Sequence, residues 1–120
     1  MLAVIFEVEP KDGRHADYFD MAADLKPLLQ TIDGFISVER FESLMNPGKI
    51  LSVSFWRDEE AIKDWRNLTK HRGAQKAGRG DMFADYRIRV AEVVRDYDMH
   101  THRAEVPADS VEHHDAPVKI

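Results

Sequence analysis

From Leu2 to Glu9 the chain alternates, with Leu2, Val4, Phe6 and Val8 on one side and Ala3, Ile5, Glu7 and Glu9 on the other. A period of two predicts a strand with one buried face. Pro10 to Gly13 predicts a turn. From His15 to Thr31 the period changes: Tyr18, Ala22, Leu25 and Leu29 form one stripe, widened by Phe19 and Leu28, which predicts a helix. Pro27 lacks a backbone donor and predicts a bend near its end, and Asp33-Gly34 predicts its stop. Alternation returns over Phe35–Glu42 and Ile50–Trp56, joined through Met45-Asn46-Pro47-Gly48. The Pro-Gly pair predicts a hairpin, so these two strands are expected to be antiparallel neighbours.

Asp58, followed by Glu59 and Glu60, predicts the start of a second helix, because carboxylates suit its free N–H groups and positive end. Ala61, Ile62, Trp65, Leu68 and Thr69 fall on its inner face. Gly73, Gly78 and Gly80 predict a break, with a looser piece from Ala74 to Arg79. Phe83 to Tyr97 is the longest strand-like run. Its alternation puts Tyr86, Ile88, Val90 and Val94 on one face and Phe83, Arg87, Arg89, Ala91, Val93 and Arg95 on the other, with a bulge predicted at Glu92. Beyond Tyr97 the residues turn polar, and His100, His102, His113 and His114 sit among Asp, Glu, Ala and Pro. The division predicted is a domain over residues 1–97 and a solvated tail over 98–120.

Strand, helix, strand, strand, helix, strand is the ferredoxin-like βαββαβ order of the α+β class. Right-handed crossovers place strands one and three in the centre of a four-stranded antiparallel sheet, with both helices on one face. The other face then carries Ile5, Phe35 or Ile36, Phe55 or Trp56, and Phe83 with Val93. An apolar sheet face needs cover. A homodimer that stacks two such faces, with strand four crossing to the partner, supplies it.

Composition narrows the function. A net charge of -5 speaks against nucleic acid, which selects a concentrated basic surface. No apolar run nears the roughly 20 residues of a membrane span, and Met-Leu-Ala-Val-Ile-Phe reads as a strand and not as a leader. The chain has no cysteine, which removes disulfides, thiolate nucleophiles and Cys-metal sites and suits the cytoplasm. No Gly-rich phosphate loop or Gly-x-Ser-x-Gly elbow occurs, and neither a metal nor a cofactor is expected.

The stretch from Trp65 to Tyr97 holds most of the candidate chemistry. Trp65 is either a core aromatic or the wall of a pocket whose indole N–H orients a ligand. His71 is either an end-of-helix residue or a general base, since an imidazole titrates near neutrality. Arg72 beside it offers a cation. Arg87 and Arg89 either pair with Glu7, Glu9 or Glu39 on neighbouring strands or clamp an oxyanion. Tyr86, Tyr18 and Phe6 either fill the core or join Trp65 around one cavity floored by Leu2, Val4 and Val8.

The element order, Ile-Asp-Gly-Phe after helix one, Ser-Val-Ser-Phe-Trp closing the hairpin, and Trp-Arg-Asn-Leu-Thr-Lys-His-Arg-Gly-Ala-Gln on helix two resemble the antibiotic biosynthesis monooxygenase family over residues 1–97. The resemblance implies a dimeric α+β barrel with a cavity between helices and sheet. It implies a cofactor-free oxygenase that oxidises a small aromatic, phenol- or quinol-like metabolite with O2. A non-catalytic binder of the same fold is the alternative, and haem degradation a third reading. The family's helix-two Trp falls on Trp65, and its basic residue on the last strand on Arg87 or Arg89. The Asn one turn before that Trp is Ala61 here. The haem branch's strand-one Asn falls on Phe6 or Glu7, and its axial His near Gln75, one turn past His71.

Overall fold

The period-two runs pair into one sheet because each strand alone leaves its N–H and C=O groups unmet. In a computed structural model of the chain, residues 1–75 and 81–111 are described, apart from the side chains of residues 69–75. Six main elements follow in order: β1 (Leu2–Pro10), α1 (His15–Leu29), β2 (Phe35–Glu42), β3 (Ile50–Trp56), α2 (Glu59–Gln75) and β4 (Phe83–Glu92). The sheet order is β2-β3-β1-β4, and every neighbouring pair is antiparallel. This is the ferredoxin-like arrangement expected, with β1 and β3 central.

Tyr18, Ala22 and Leu29 of α1 are buried, as the stripe predicts. The helix ends at Leu29, two residues short of Thr31 where the predicted run ends, and Pro27 lies inside its last turn. The Thr31 hydroxyl donates to the Leu28 carbonyl at 2.7 Å and closes that end. At the start of α2 the Asp58 carboxylate accepts the Ala61 N–H at 3.0 Å, an N-cap. The adjacent Arg57 guanidinium, and then that N–H, hold the Asp58 carboxyl below its ordinary range. Gly73 does not break α2, which runs on to Gln75. A single glycine costs only about 1 kcal/mol relative to alanine in a helix, which its neighbours absorb.

Two predictions for β4 need correction. The strand stops at Glu92, not Tyr97. Glu92 lies opposite Leu2, the first residue of β1, and one last bond joins the Val93 N–H to the Met1 carbonyl at 3.0 Å. Past that point β4 has no rung on that side. The bulge also lies elsewhere: Leu2↔Glu92 and Ala3↔Ala91 keep register, whereas Glu9↔Asp85 and Pro10↔Phe83 leave Ala84 unpaired. The extra residue turns Phe83 to the helix side, where its ring meets those of Phe6 and Tyr18.

Register also settles the bare side. Ala3, Ile5, Leu51, Val53 and Phe55 lie there, while Trp56 and Phe35 point to the helices. Ile36 sits at the irregularity between Phe35 and Ser37 and is exposed.

After β4 a short turn is built on Asp98. Its carboxylate accepts the Thr101 hydroxyl at 2.6 Å, the Thr101 N–H, and the His100 N–H at 2.8 Å. The Thr101 hydroxyl and N–H bonds lead in lowering its carboxyl from 3.8 to about 2. Since the folded value is the lower one, the turn's stabilisation is complete above pH 3.8 and lost as pH falls through about 2. In an NMR titration the Thr101 amide is expected to shift over that window. Asp98→Asn is expected to remove the titration, and a shift that persists in that variant refutes the assignment.

Candidate functional site

Cross-strand register lines up side chains in rows on the helix side of the sheet. Val8 stands between Ile50 and Tyr86, Phe6 between Ser52 and Ile88, and Val4 between Ser54 and Val90. On β2, Arg40 lies opposite Ser52 and Val38 opposite Ser54. Two buried clusters pack on this surface. One buried cluster, Val8, Tyr18, Ile50 and Met82, gathers Phe6, Met21 and Phe83. A second, Leu29, Trp56, Ala61 and Ile62, gathers Val4, Phe35, Val38 and Trp65 among others. The two share no residue. Between them the floor on β3 is Ser52 and Ser54, both buried.

Each of the two clusters has its own aromatic group. At one end Tyr86 meets Phe6 with ring centroids 6.0 Å apart and Phe83 at 6.3 Å, both edge-to-face. Tyr18, only 2% exposed, meets Phe83 at 6.0 Å. At the other end Trp65 lies 6.4 Å from Trp56, whose indole N–H donates to the Ser54 hydroxyl at 2.8 Å. Along β4 the helix-side stripe of Tyr86, Ile88 and Val90 stays open: Tyr86 is 60% exposed and Ile88 55%. An edge strand with a long apolar stripe facing open space is unusual unless something binds there.

Not all the residues singled out in the sequence meet. Phe6, Tyr18 and Tyr86 do, through Phe83. Trp65 belongs to the second cluster, at the far end of the same face. Arg87 and Arg89 lie on the opposite side of the sheet, across from Glu7 and Ile5. Arg89 Nη1 is 3.5 Å from Glu7 Oε1, and Lys49 Nζ is 3.4 Å from Glu7 Oε2. That is the pairing reading, and it separates both arginines from Tyr86 and Trp65. The side chains of His71 and Arg72 lie outside the described residues.

Three polar residues between the two clusters on this face have no place in the sequence reading: Arg40, Ser52 and Ser54. The serines carried a signal, because two hydroxyls at alternate positions of a central strand interrupt an apolar face. Arg40 Nε is buried and has no hydrogen-bond partner. Among the described residues no group of three or more His, Cys, Asp or Glu is placed to hold a metal ion. None of their helices is long and apolar enough to cross a membrane.

A sequence model of antibiotic biosynthesis monooxygenases matches residues 1–77. This chain belongs to the antibiotic biosynthesis monooxygenase family. It is 46% identical over 93 residues to a protein of Pyricularia oryzae named Jasmonate monooxygenase ABM, over 78% of this chain and 43% of that one. It thus spans less than half the length of this fungal family member. It is 33% identical over 93 residues to the uncharacterised protein YqjZ of Bacillus subtilis, over 78% of this chain and 79% of that one. The structure of Rv0793 from Mycobacterium tuberculosis superposes with a TM-score of 0.68 at 17% identity, over 81% of this chain and 98% of that one. At that identity the last match speaks for the fold alone.

Proposed function

We propose that this chain is a cofactor-independent monooxygenase that takes a small aromatic, phenol- or quinol-like metabolite into the trough between helices and sheet. Family membership supports the oxygenase class. The observation that carries the site is the open aromatic edge: Tyr86 stands beside Phe6 on the helix side, yet 60% of it is exposed. A planar ring laid there stacks on Phe6 and Tyr86 and removes apolar surface from water. Trp65 limits the trough at its other end.

The chemistry needs an electron-rich anion, because a phenolate gives up electrons to O2 far more readily than a phenol. In this reading His71 takes the phenol proton. One phenol and one O2 then give one quinone and one water. The oxidised ring carbon loses its hydrogen and gains one oxygen atom, and the substrate supplies all four electrons. No outside reductant is required.

The same reading places the chain in the cytoplasm as a homodimer whose second copy covers the bare side. Half-buried Ile5, Leu51, Val53 and Phe55 support that face as the contact. Light scattering of the purified chain is expected to return twice the 13.8 kDa protomer mass.

Oxygen uptake with a panel of hydroquinones, simple phenols and jasmonate tests the activity. Tyr86→Ala is expected to lower kcat/KM by about three- to tenfold, the value of one aromatic contact. His71→Ala is expected to lower kcat with little change in KM. Uptake that no panel member elicits, with binding still seen by calorimetry, would replace the enzyme by a small-molecule binder of the same fold.

A further inference from the structure

Arg40 and Ser52 face each other across the β2–β3 ladder, on the helix side of the sheet. Directly opposed antiparallel residues hold their Cβ atoms about 5 Å apart. The Arg40 Nε–H is sealed from water and donates to nothing. Among the described residues no carboxylate reaches its guanidinium, and none hydrogen-bonds the Ser52 hydroxyl. The chain holds 22 acidic side chains against 17 Lys and Arg, so carboxylate partners are plentiful. Arg14, Arg57 and Arg89 each have a carboxylate partner. A buried donor on a cation without an acceptor is costly, and the cost disappears when an anion docks.

We propose that Arg40 and Ser52 form the seat for a carboxylate on the substrate, so that the ligand is an aromatic acid and not a neutral phenol. The proposal rests on the trough being the ligand site. Burial of Nε holds that donor within the fold and out of water. From Ser52 the same row continues through Phe6 on β1 to Ile88 on β4. From β2 to β4 is three strand spacings, about 14 Å. Once the arginine side chain has covered part of that span, the remainder suits one ring on a short acid chain. The ring then lies over Phe6 against Tyr86, and the acid group meets Arg40 through charge-assisted hydrogen bonds.

The test is calorimetric titration of the full chain with hydroxyphenylpropanoate and with its methyl ester. The acid is expected to bind about ten- to a hundredfold more tightly, the usual range for a hydrogen bond to a charged group. Arg40→Gln is expected to bring the acid-to-ester affinity ratio close to one. Arg40→Lys is expected to keep part of the preference, since the charge remains and the planar fork is lost. Should Arg40→Gln fail to fold, the acid-to-ester ratio of the unaltered chain and of Ser52→Ala decides. Equal affinity for acid and ester in the unaltered chain overturns the proposal. So does an acid preference that survives Arg40→Gln, or failure of both ligands to bind, which removes the trough as well. An acid preference without oxygen uptake supports the carboxylate seat and rejects the oxidation.

Discussion

Trp56→Ala is expected to cost about 3–5 kcal/mol of folding stability, the range for deleting a large buried aromatic. Trp56 is 1% exposed and anchors the second core cluster. Its ring meets Phe35 at 5.2 Å edge-to-face and Trp65 at 6.4 Å, so three elements lose a shared contact at once. Truncation also leaves the buried Ser54 hydroxyl without the indole N–H that it accepts at 2.8 Å. Against a total of about 5–15 kcal/mol for a domain, that loss brings the variant close to unfolding. Urea titration followed by circular dichroism measures it. Trp56→Phe keeps an aromatic ring in the same place and is expected to lose clearly less. Because Trp65 is then the sole tryptophan, its fluorescence reports on the trough directly. A loss below about 1 kcal/mol for Trp56→Ala would mean that the second cluster does not hold the helices to the sheet.

Gly34→Ala carries the second largest expected effect, about 2–4 kcal/mol, from two separable sources. Gly34 has φ of 91°, a left-handed conformation that side chains resist. A Cβ built there would also stand 2.8 Å from the Ala61 Cβ, 3.2 Å from Arg57 Cζ and 3.3 Å from Arg57 Cβ. Ala61 is itself buried on α2, and the Gly34 carbonyl accepts the Arg57 N–H at 2.7 Å. This is where the entry to β2 passes under the first turn of α2, and neither backbone can retreat. Adding Ala61→Gly relieves the closest contact but not the backbone strain, so the double variant, compared with Ala61→Gly alone, which itself costs about 1 kcal/mol in the helix, is expected to recover only part of the stability. Full recovery would show that φ contributes nothing here. All three variants are read by urea midpoint.

The candidate site was legible in unequal parts. Phe6 and Tyr86 come together because β1 and β4 alternate cleanly between them, and Tyr18 follows from the stripe of α1, but Phe83, which joins the three, reaches that side only through the bulge at Ala84. The stripe of α2 puts Trp65 on the inner face, as its packing shows, whereas alternation leaves its partner Trp56 open between two faces. That ambiguity is inherent in Phe55-Trp56, where either aromatic satisfies an alternating pattern. Arg87 and Arg89 were assigned to the correct face of β4. Their separation from the trough follows once β1 contributes Glu7 to the same side. Arg40 escaped notice because an arginine on an edge strand resembles any solvated charge until its Nε is seen to be buried.

Strand and helix identities, their order and the inward stripe of α1 were readable in the chain alone, since periodicity and turn residues act over a few neighbours. The bulge at Ala84, the end of β4 at Glu92 and the meeting of Arg40 with Ser52 emerged only from the folded arrangement. Each depends on which residue of a distant strand supplies the next rung of the ladder, and no local pattern encodes that choice.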